Sequence, residues 1–249
     1  MRKTVVITGA SSGIGRALAL EFAAQGYDLG VAARRLPALE ALRDELLAAN
    51  PSSGLRVLTA VLDVDDDINV GPVLHGLFDA LGKVDIVVVN AGVNDFTAVG
   101  RGTFAKEKQL LQTNLIGAIA TVNAAVEHFL TCGGGQIVGI SSLASLQAIP
   151  KQAAYCASKA ALSMYLDAAR IELKHKNIRI TKILPGFVKT EIMHNVGKYP
   201  FAVSAEQAAQ QIVSAVQKGK RRAVVPAFPW RLLLPLFGHF PDALFRRRG

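Results

Sequence analysis

The feature that most restricts this chain is a set of short β-branched runs that have no polar face. Ile86-Val-Val-Val is apolar at consecutive positions up to Asn90, Thr4-Val-Val-Ile-Thr is a short β-branched run, and Ile178-Arg-Ile-Thr-Lys-Ile-Leu is a further β-branched run that carries polar residues between its apolar ones. A strand apolar on both sides needs cover on both sides, the situation of parallel sheets flanked by helices. Such runs recur at Lys3–Thr8, Asp28–Ala33, 55–62, 84–90, 136–142, 178–184 and 222–226, with helical stretches between them. Strand–helix alternation from end to end predicts a doubly wound α/β fold, a seven-stranded parallel sheet with helices on both faces. The 249 residues suit one large domain, 1–249, with 227–249 as an apolar, basic C-terminal extension.

The first strand runs directly into Gly9-Ala10-Ser11-Ser12-Gly13-Ile14-Gly15, and a helix follows from Arg16. Glycines in a strand-to-helix turn let backbone approach a phosphate pair, and the helix N-terminus adds free N–H groups and positive dipole. Three residues separate Gly9 from Gly13, so this is not a G-x-G-x-x-G loop, and no Gly-Lys-Ser/Thr follows to make a Walker loop. Arg34-Arg35 stands after the second strand, where an acid would bind the ribose hydroxyls of NAD and an arginine the 2′-phosphate of NADP. NADP(H) is therefore preferred, with NAD(H) as the alternative; the plainer reading is that the arginines open a solvated helix over 37–49. Asp65-Asp66-Asp67 reads as an acid cluster at a helix N-terminus.

Tyr155 and Lys159 lie four residues apart in an Ala-rich helical stretch, hence on one helix face. An ammonium beside a phenol favours the phenolate, so the pair suggests a tyrosine acid/base tuned toward neutral pH. Taken alone, the pair also fits an ordinary half-exposed helix. Ser142 lies just past the carboxyl end of the fifth strand, the edge at which open α/β sheets bind ligands, with Ser141 and Ser145 as competing hydroxyls.

Together, Thr8-Gly-x-x-x-Gly-Ile-Gly, Asn90-Ala91-Gly92, Asn114 with Gly117, Ser142 followed by Tyr155-x-x-x-Lys159, and Pro185-Gly186 through Thr190 resemble the short-chain dehydrogenase/reductase family over roughly residues 4–226. The resemblance implies a Rossmann-like fold and an NAD(P)-dependent oxidoreductase. It implies catalytic roles for Asn114, Ser142, Tyr155 and Lys159, with Ser142 chosen for its thirteen-residue separation from Tyr155. Lys159 would lower the Tyr155 pKa and bind the nicotinamide ribose. Asn114 would distort its helix, expected over 103–130, and link Lys159 to solvent. Gly9, Ser11, Ser12, Gly13, Ile14 and Gly15 would cradle the cofactor, and Asp63 would sit beside its adenine. Asn90, Ala91 and Gly92 would border it, while Pro185, Gly186, Val188 and Thr190 would face its nicotinamide end.

The implied reaction is hydride transfer between the nicotinamide and a carbonyl or secondary alcohol. The apolar tail suggests a lipophilic substrate. A non-catalytic nucleotide-binding regulatory or scaffold protein of the same fold is the alternative. The resemblance also implies a homodimer or homotetramer.

Formal charge is +9, but +7 of it lies in residues 218–249, where eight Lys/Arg face the single acid Asp242. A nearly neutral body argues against nucleic-acid binding, which needs a basic stripe on the folded domain. The stretch 229–249 is broken by Pro235, Gly238 and Pro241 and falls short of the ~20 apolar residues that span a bilayer. It is expected either to touch a membrane surface or to pack on a subunit or over the substrate pocket. Two cysteines, Cys132 and Cys156, fit a reducing, cytoplasmic setting, and the five histidines show no metal-ligand spacing. The segment between Met193 and Val203 would be the substrate loop.

Overall fold

A computed structural model describes residues 2–190 and 201–239. Seven strands form one parallel sheet: β1 (Thr4–Thr8), β2 (Asp28–Ala33), β3 (Val57–Val61), β4 (Ile86–Val89), β5 (Gly135–Ile140), β6 (Ile178–Pro185) and, after a short pair β7 (Val188–Lys189) and β8 (Val203–Ser204), β9 (Arg222–Val225). Their order is β3-β2-β1-β4-β5-β6-β9. The seven expected strands are thus all present, and the β7–β8 pair is an addition that the sequence pattern did not announce.

The helices are α1 (Gly13–Ala24), α2 (Leu36–Ala49), α3 (Asp67–Leu81), α4 (Phe104–Leu111), α5 (Gly117–Thr131), α6 (Ala153–Glu172), α7 (Ala205–Gln217) and the short α8 (Trp230–Leu233). Alternate residues of each strand feed opposite cores, as the period of two requires. Val5 and Ile7 of β1 pack with Leu18, Phe22, Leu39, Leu42, Ile212 and Val216 of α1, α2 and α7. Val6 faces the other way, toward Leu74, Phe78, Val122, Phe129, Leu162 and Leu166 of α3, α5 and α6. Both faces of the sheet are therefore dry, which explains why its strands lack polar alternation. Helix α7 begins with a capping box in which the Ser204 hydroxyl accepts from the Gln207 N–H and the Gln207 side chain returns the bond, as the Ser204 N-cap implied.

The helix expected over 103–130 is interrupted at Asn114, where the resemblance implied a distortion. A π-helical turn, Gln112–Ile116, separates α4 from α5 and carries the buried Asn114. At this turn the Asn114 amide bonds the backbone of Val93, in the chain after β4. Gly117 lets α5 close against the preceding loop, because a Cβ there would stand 2.4 Å from the Val64 carbonyl oxygen.

Strand order reverses at β1, which lies between β2 and β4. A crevice opens at such a switch point beyond the carboxyl ends of the strands. The glycine loop after β1, the Asn90 turn after β4 and Ser142 after β5 all leave the sheet at that edge.

Candidate active site

The phosphate-loop end is held by backbone packing. Thr8, wholly buried at the end of β1, accepts at its hydroxyl from the N–H groups of Asn90 (3.1 Å) and Ala91 (3.3 Å). Asn90 Nδ2 donates to the carbonyls of Thr8 (3.0 Å) and Gly9 (3.2 Å). The Asn90-Ala91-Gly92 turn thus shapes the loop from beneath. Gly9 has φ +68° and a Cβ on it would stand 2.7 Å from Ala91 Cα, while a Cβ on Gly15 would fall 2.3 Å from the Gly9 oxygen. Neither position admits a side chain. Ser12 is the N-cap of α1 and makes no side-chain capping bond, so the first-turn N–H groups stay open to a ligand. Gly13 lies opposite Thr190, whose Cγ2 would be 3.4 Å from a Cβ there. A cleft of about 570 Å³ lies between Ser11–Gly13 and Lys189–Thr190. This cradle, with its glycine floor and helix N-terminus, fits a dinucleotide pyrophosphate.

Arg35 does more than open α2. Its guanidinium reaches back to Ser11, with Nη2 3.2 Å from Ser11 Oγ, across the rim of the loop. Arg34 is exposed and stands 3.8 Å from Asp65. Asp63 is exposed beyond β3, and its carboxylate accepts from the Asp65 N–H at 3.1 Å.

Asp65 departs from its expected place in a helix-end acid cluster. α3 starts only at Asp67, and the Asp65 carboxylate instead accepts from Thr113 Oγ1 (2.6 Å) and Gln109 Nε2 (2.7 Å). It fastens the turn that carries Asn114, a role hidden in the sequence by two neighbouring aspartates.

At the other end, four side chains converge. Asn114 is wholly buried: its Oδ1 accepts from the Val93 N–H at 2.7 Å and its Nδ2 donates to the Val93 carbonyl at 2.8 Å. A Cβ on Gly92 would lie 3.2 Å from Asn114 Oδ1 and 3.5 Å from Lys159 Nζ, so Gly92 is where these two groups meet. Lys159 is 5 % exposed and donates from Nζ to the Ile140 carbonyl at 3.0 Å. Its Nζ lies 6.0 Å from the Tyr155 ring centroid. Tyr155 is half-buried, and the Ser142 side chain acts on its phenol in the direction that favours the phenolate. Ser142 is buried, and its Oγ also accepts from the Ala144 N–H at 3.1 Å.

The competing hydroxyls point elsewhere. Ser141 bonds the Lys159 carbonyl (3.0 Å) and Ser163 (2.7 Å), and Ser145 donates to the Ser142 carbonyl (2.7 Å). Of the three serines, Ser142 alone acts on the Tyr155 phenol.

Burial lowers the Lys159 ammonium to about 8, because water is removed from the charged form and no carboxylate replaces it among the described residues. For Tyr155 the expected lowering is not found. Burial raises the phenol above its ordinary value, and the Ser142 hydrogen bond offsets this only in part. The four-residue spacing gave proximity to Lys159; it carried no information on how far the hydroxyl is desolvated.

Pro185 ends β6 paired with Val225 of β9, and the Gly186 N–H donates to the Val225 carbonyl at 2.8 Å. Val188, buried in β7, leads to Thr190 beside Gly13. Over Gly186 lies Trp230, a residue that no sequence spacing singled out. Its ring meets Phe187, Phe201 and Phe237 edge-on at 5.7, 6.0 and 6.1 Å. The Gly238 N–H then donates to Gln147 Oε1 at 2.8 Å. Residues 227–239 thus fold back over their own chain. Most of the expected substrate loop between Met193 and Val203 lies outside the described residues, as does the stretch 240–249. Among the described residues no His/Cys/Asp/Glu cluster could hold a metal ion.

A glycine cradle at the switch point of a parallel sheet, opposite a buried Ser-Tyr-Lys-Asn group, defines a dinucleotide-binding oxidoreductase. The family model for short chain dehydrogenases matches residues 3–200, and the chain belongs to that family as an NAD(P)-dependent short-chain dehydrogenase/reductase. An uncharacterized oxidoreductase of Mycobacterium tuberculosis is 35% identical over 247 residues, covering 99% of this chain and 97% of the relative. One from Myxococcus xanthus is 37% identical over 234 residues, 94% of this chain and 90% of its own. An alcohol dehydrogenase from Thermococcus sibiricus, solved with 5-hydroxy-NADP, superposes with a TM-score of 0.79 at 26% identity, covering 90% of this chain and 96% of that one. The fold also matches a Burkholderia phymatum short-chain dehydrogenase/reductase solved with NAD, at TM-score 0.85 and 23% identity over 99% and 96% of the two chains.

Proposed function

We propose that this protein is an NADP(H)-dependent reductase of a lipophilic carbonyl compound, with Tyr155 as the proton donor. The observation that carries the reading is the convergence of Ser142, Tyr155, Lys159 and Asn114 at the sheet edge that also holds the glycine cradle. A bound nicotinamide supplies or accepts the hydride. The chain's own groups handle the proton and the oxygen.

Tyr155 donates its phenolic proton to the substrate oxygen, and Ser142 hydrogen-bonds the same oxygen as negative charge grows on it. Lys159 orients the ribose, and Asn114, fixed to Val93, completes the path by which the proton is replaced. A nucleotide-binding scaffold without catalysis would need Lys159 for the ribose but would have no use for Ser142, Tyr155 and Asn114 beside it. Arg34 and Arg35 at the end of β2 support preference for the 2′-phosphate form, since Arg35 already spans to Ser11 of the loop.

The aromatic cover made by Trp230, Phe187 and Phe237 supports an apolar substrate. Exposed Ile116, Met164 and Ile171 on the outer side of the α5–α6 region supply apolar surface for a homodimer or homotetramer. The 1–249 stretch acts as one dinucleotide-binding domain in a cytoplasmic setting, and no helix among the described residues is long and apolar enough to cross a membrane. The outward side of residues 227–239 presents Phe228, Leu232 and Leu236, each more than half exposed, beside Arg231. That face suits peripheral contact with an anionic membrane. Replacing all three by serine should abolish co-sedimentation with anionic liposomes; equal sedimentation of both forms removes the membrane contact.

The experiment for the main reading is a panel of ketones and aldehydes with NADPH and NADH in parallel, followed at the reduced-nicotinamide absorbance. Wild type should prefer NADPH. Tyr155→Phe should lower turnover by roughly 10²–10⁴-fold, the usual share of general acid catalysis, with cofactor binding nearly intact. Residual turnover within a few-fold of wild type eliminates Tyr155 as the acid, and a clear preference for NADH overturns the reading of the arginines.

A further inference from the structure

Trp230 is the sole tryptophan of the chain, and its indole nitrogen is buried with no hydrogen-bond partner among the described residues. An indole N–H donates and cannot accept, so neither amide flips nor tautomers blur its role. A buried donor without an acceptor costs about 1–3 kcal/mol, and native chains rarely keep one without reason.

Its location supplies a reason. Nε1 would stand 2.8 Å from a Cβ on Gly186, so only glycine at that position lets the indole settle there. Gly186 is the first residue beyond β6. In the neighbouring pair β5–β6, Ile140 is in register with Ile183, and the Ser141 N–H donates to the Ile183 carbonyl at 2.9 Å. Continuing that register sets Ser142 beside Pro185, one strand spacing of about 4.8 Å across the sheet. The orphan donor therefore sits at the same sheet edge as Ser142, one residue further along the adjacent strand. From Trp230 the chain crosses to Gln147, where the Gly238 N–H bonds Oε1, and Gln147 belongs to the segment between Ser142 and Tyr155. Both ends of this strap are thus fixed on the two segments that carry the candidate chemistry.

We propose that Trp230 is a specificity-determining residue whose indole N–H donates to a second oxygen of the substrate, distinct from the carbonyl that is reduced. The preferred substrate is then an apolar carbonyl compound carrying a further carbonyl, ester or ether acceptor, its apolar body against the ring edges of Phe187 and Phe237. This inference rests on the carbonyl-reductase reading above and narrows its substrate class.

The test uses a β-keto ester and a plain ketone of equal chain length, both assayed with wild type and Trp230→Phe. Phenylalanine keeps an aromatic ring against its neighbours and removes the donor. The variant should raise KM for the keto ester by up to about tenfold more than it raises KM for the plain ketone, the range of one neutral hydrogen bond, because loss of ring area acts on both substrates and loss of the donor on one. A second readout is independent of turnover. With oxidised cofactor present, titrating wild type with a matched diester that has no reducible ketone should shift the emission of this single tryptophan, and the matched hydrocarbon should not. Equal KM changes for both ketones, or identical emission responses to diester and hydrocarbon, overturn the proposal. If wild type reduces neither ketone, the carbonyl-reductase reading fails, and the emission titration still decides whether the indole takes an oxygen acceptor. Trp230→His, which keeps a ring N–H, should restore part of the keto-ester KM; failure to do so, with the fold intact by circular dichroism, also counts against the donor role.

Discussion

Two lysines lie buried against helix α6, and their surroundings differ. Lys182 reaches from β6 to the carboxylate of Asp167 and the carbonyl of Ser163, at 3.3 Å from the latter. Lys159, near the start of the helix, has the Ile140 carbonyl and, among the described residues, no carboxylate, and burial lowers it to about 8. Lys182 is matched charge for charge, as a group held for architecture would be. Lys159 is left short of a counter-charge at the edge where a ligand binds. Buried cations without partners are unfavourable to the fold, and they persist where chemistry uses them. The C-terminal half of α6 thus serves the sheet, and its N-terminal half carries the residues of the proposed site.

The sharpest break of this contrast is Lys159→Met, which keeps length and removes the charge. Turnover should fall by roughly 10²–10⁴-fold, as for other participants in proton transfer. Stability should hold or rise, because a depression from 10.5 to about 8 corresponds to a burial penalty of about 3 kcal/mol that the variant no longer bears. The sign has a pH signature. Between about 8 and 10.5 the unfolded chain binds the proton that the folded chain has lost, so wild-type stability should climb with pH across that window. Thermal melts of Lys159→Met should lack that climb. A variant that melts well below wild type at neutral pH would place Lys159 with Lys182 as a structural group.

Next in size is the pH dependence of turnover. If Lys159 works as the ammonium, carbonyl reduction should decline as pH rises through about 8, approaching tenfold per unit above it. Lys159→Arg, which stays charged, should lose the decline even where its absolute rate is lower. A rate profile that is flat to pH 9 in wild type breaks the link between this group and the reaction.

The same contrast explains what could be read from the chain beforehand. Gly9, Gly13 and Gly15 were legible because backbone approach to a phosphate forbids side chains at fixed spacings; what the spacing did not announce is that Ala91 and the Gly9 carbonyl already fill the space a side chain would need at Gly9 and Gly15. The seven strands were legible because dry faces leave a local mark, runs without polar alternation. Tyr155, Lys159, Ser142 and Asn114 were legible as a group only through family resemblance. What lay beyond reach depends on distant parts of the chain. The direction of the Tyr155 shift follows from burial, which spacing does not encode. Asp65 was masked by Asp66 and Asp67, although its partners Thr113 and Gln109 lie more than forty positions away. Trp230 meets Phe187, Phe201 and Phe237 through tertiary packing alone, and an apolar, basic tail pointed as readily to a membrane as to a pocket wall.

The smallest effect belongs to the matched lysine, and it completes the test. Lys182→Met leaves the Asp167 carboxylate behind, but that side chain is 44% exposed and can recover water. The loss should therefore stay below the 3–5 kcal/mol typical of breaking a fully buried pair, at about 1–2 kcal/mol in a denaturant melt. Because Lys182 touches neither Tyr155 nor the glycine cradle, kcat and cofactor affinity should remain within about twofold of wild type. The two methionine variants then cross: one loses activity and keeps its fold, and the other loses stability and keeps its activity. If Lys182→Met instead depresses kcat as far as Lys159→Met while the protein stays folded, charge pairing has no bearing on which lysine serves the reaction, and the division of α6 into a structural half and a site half fails.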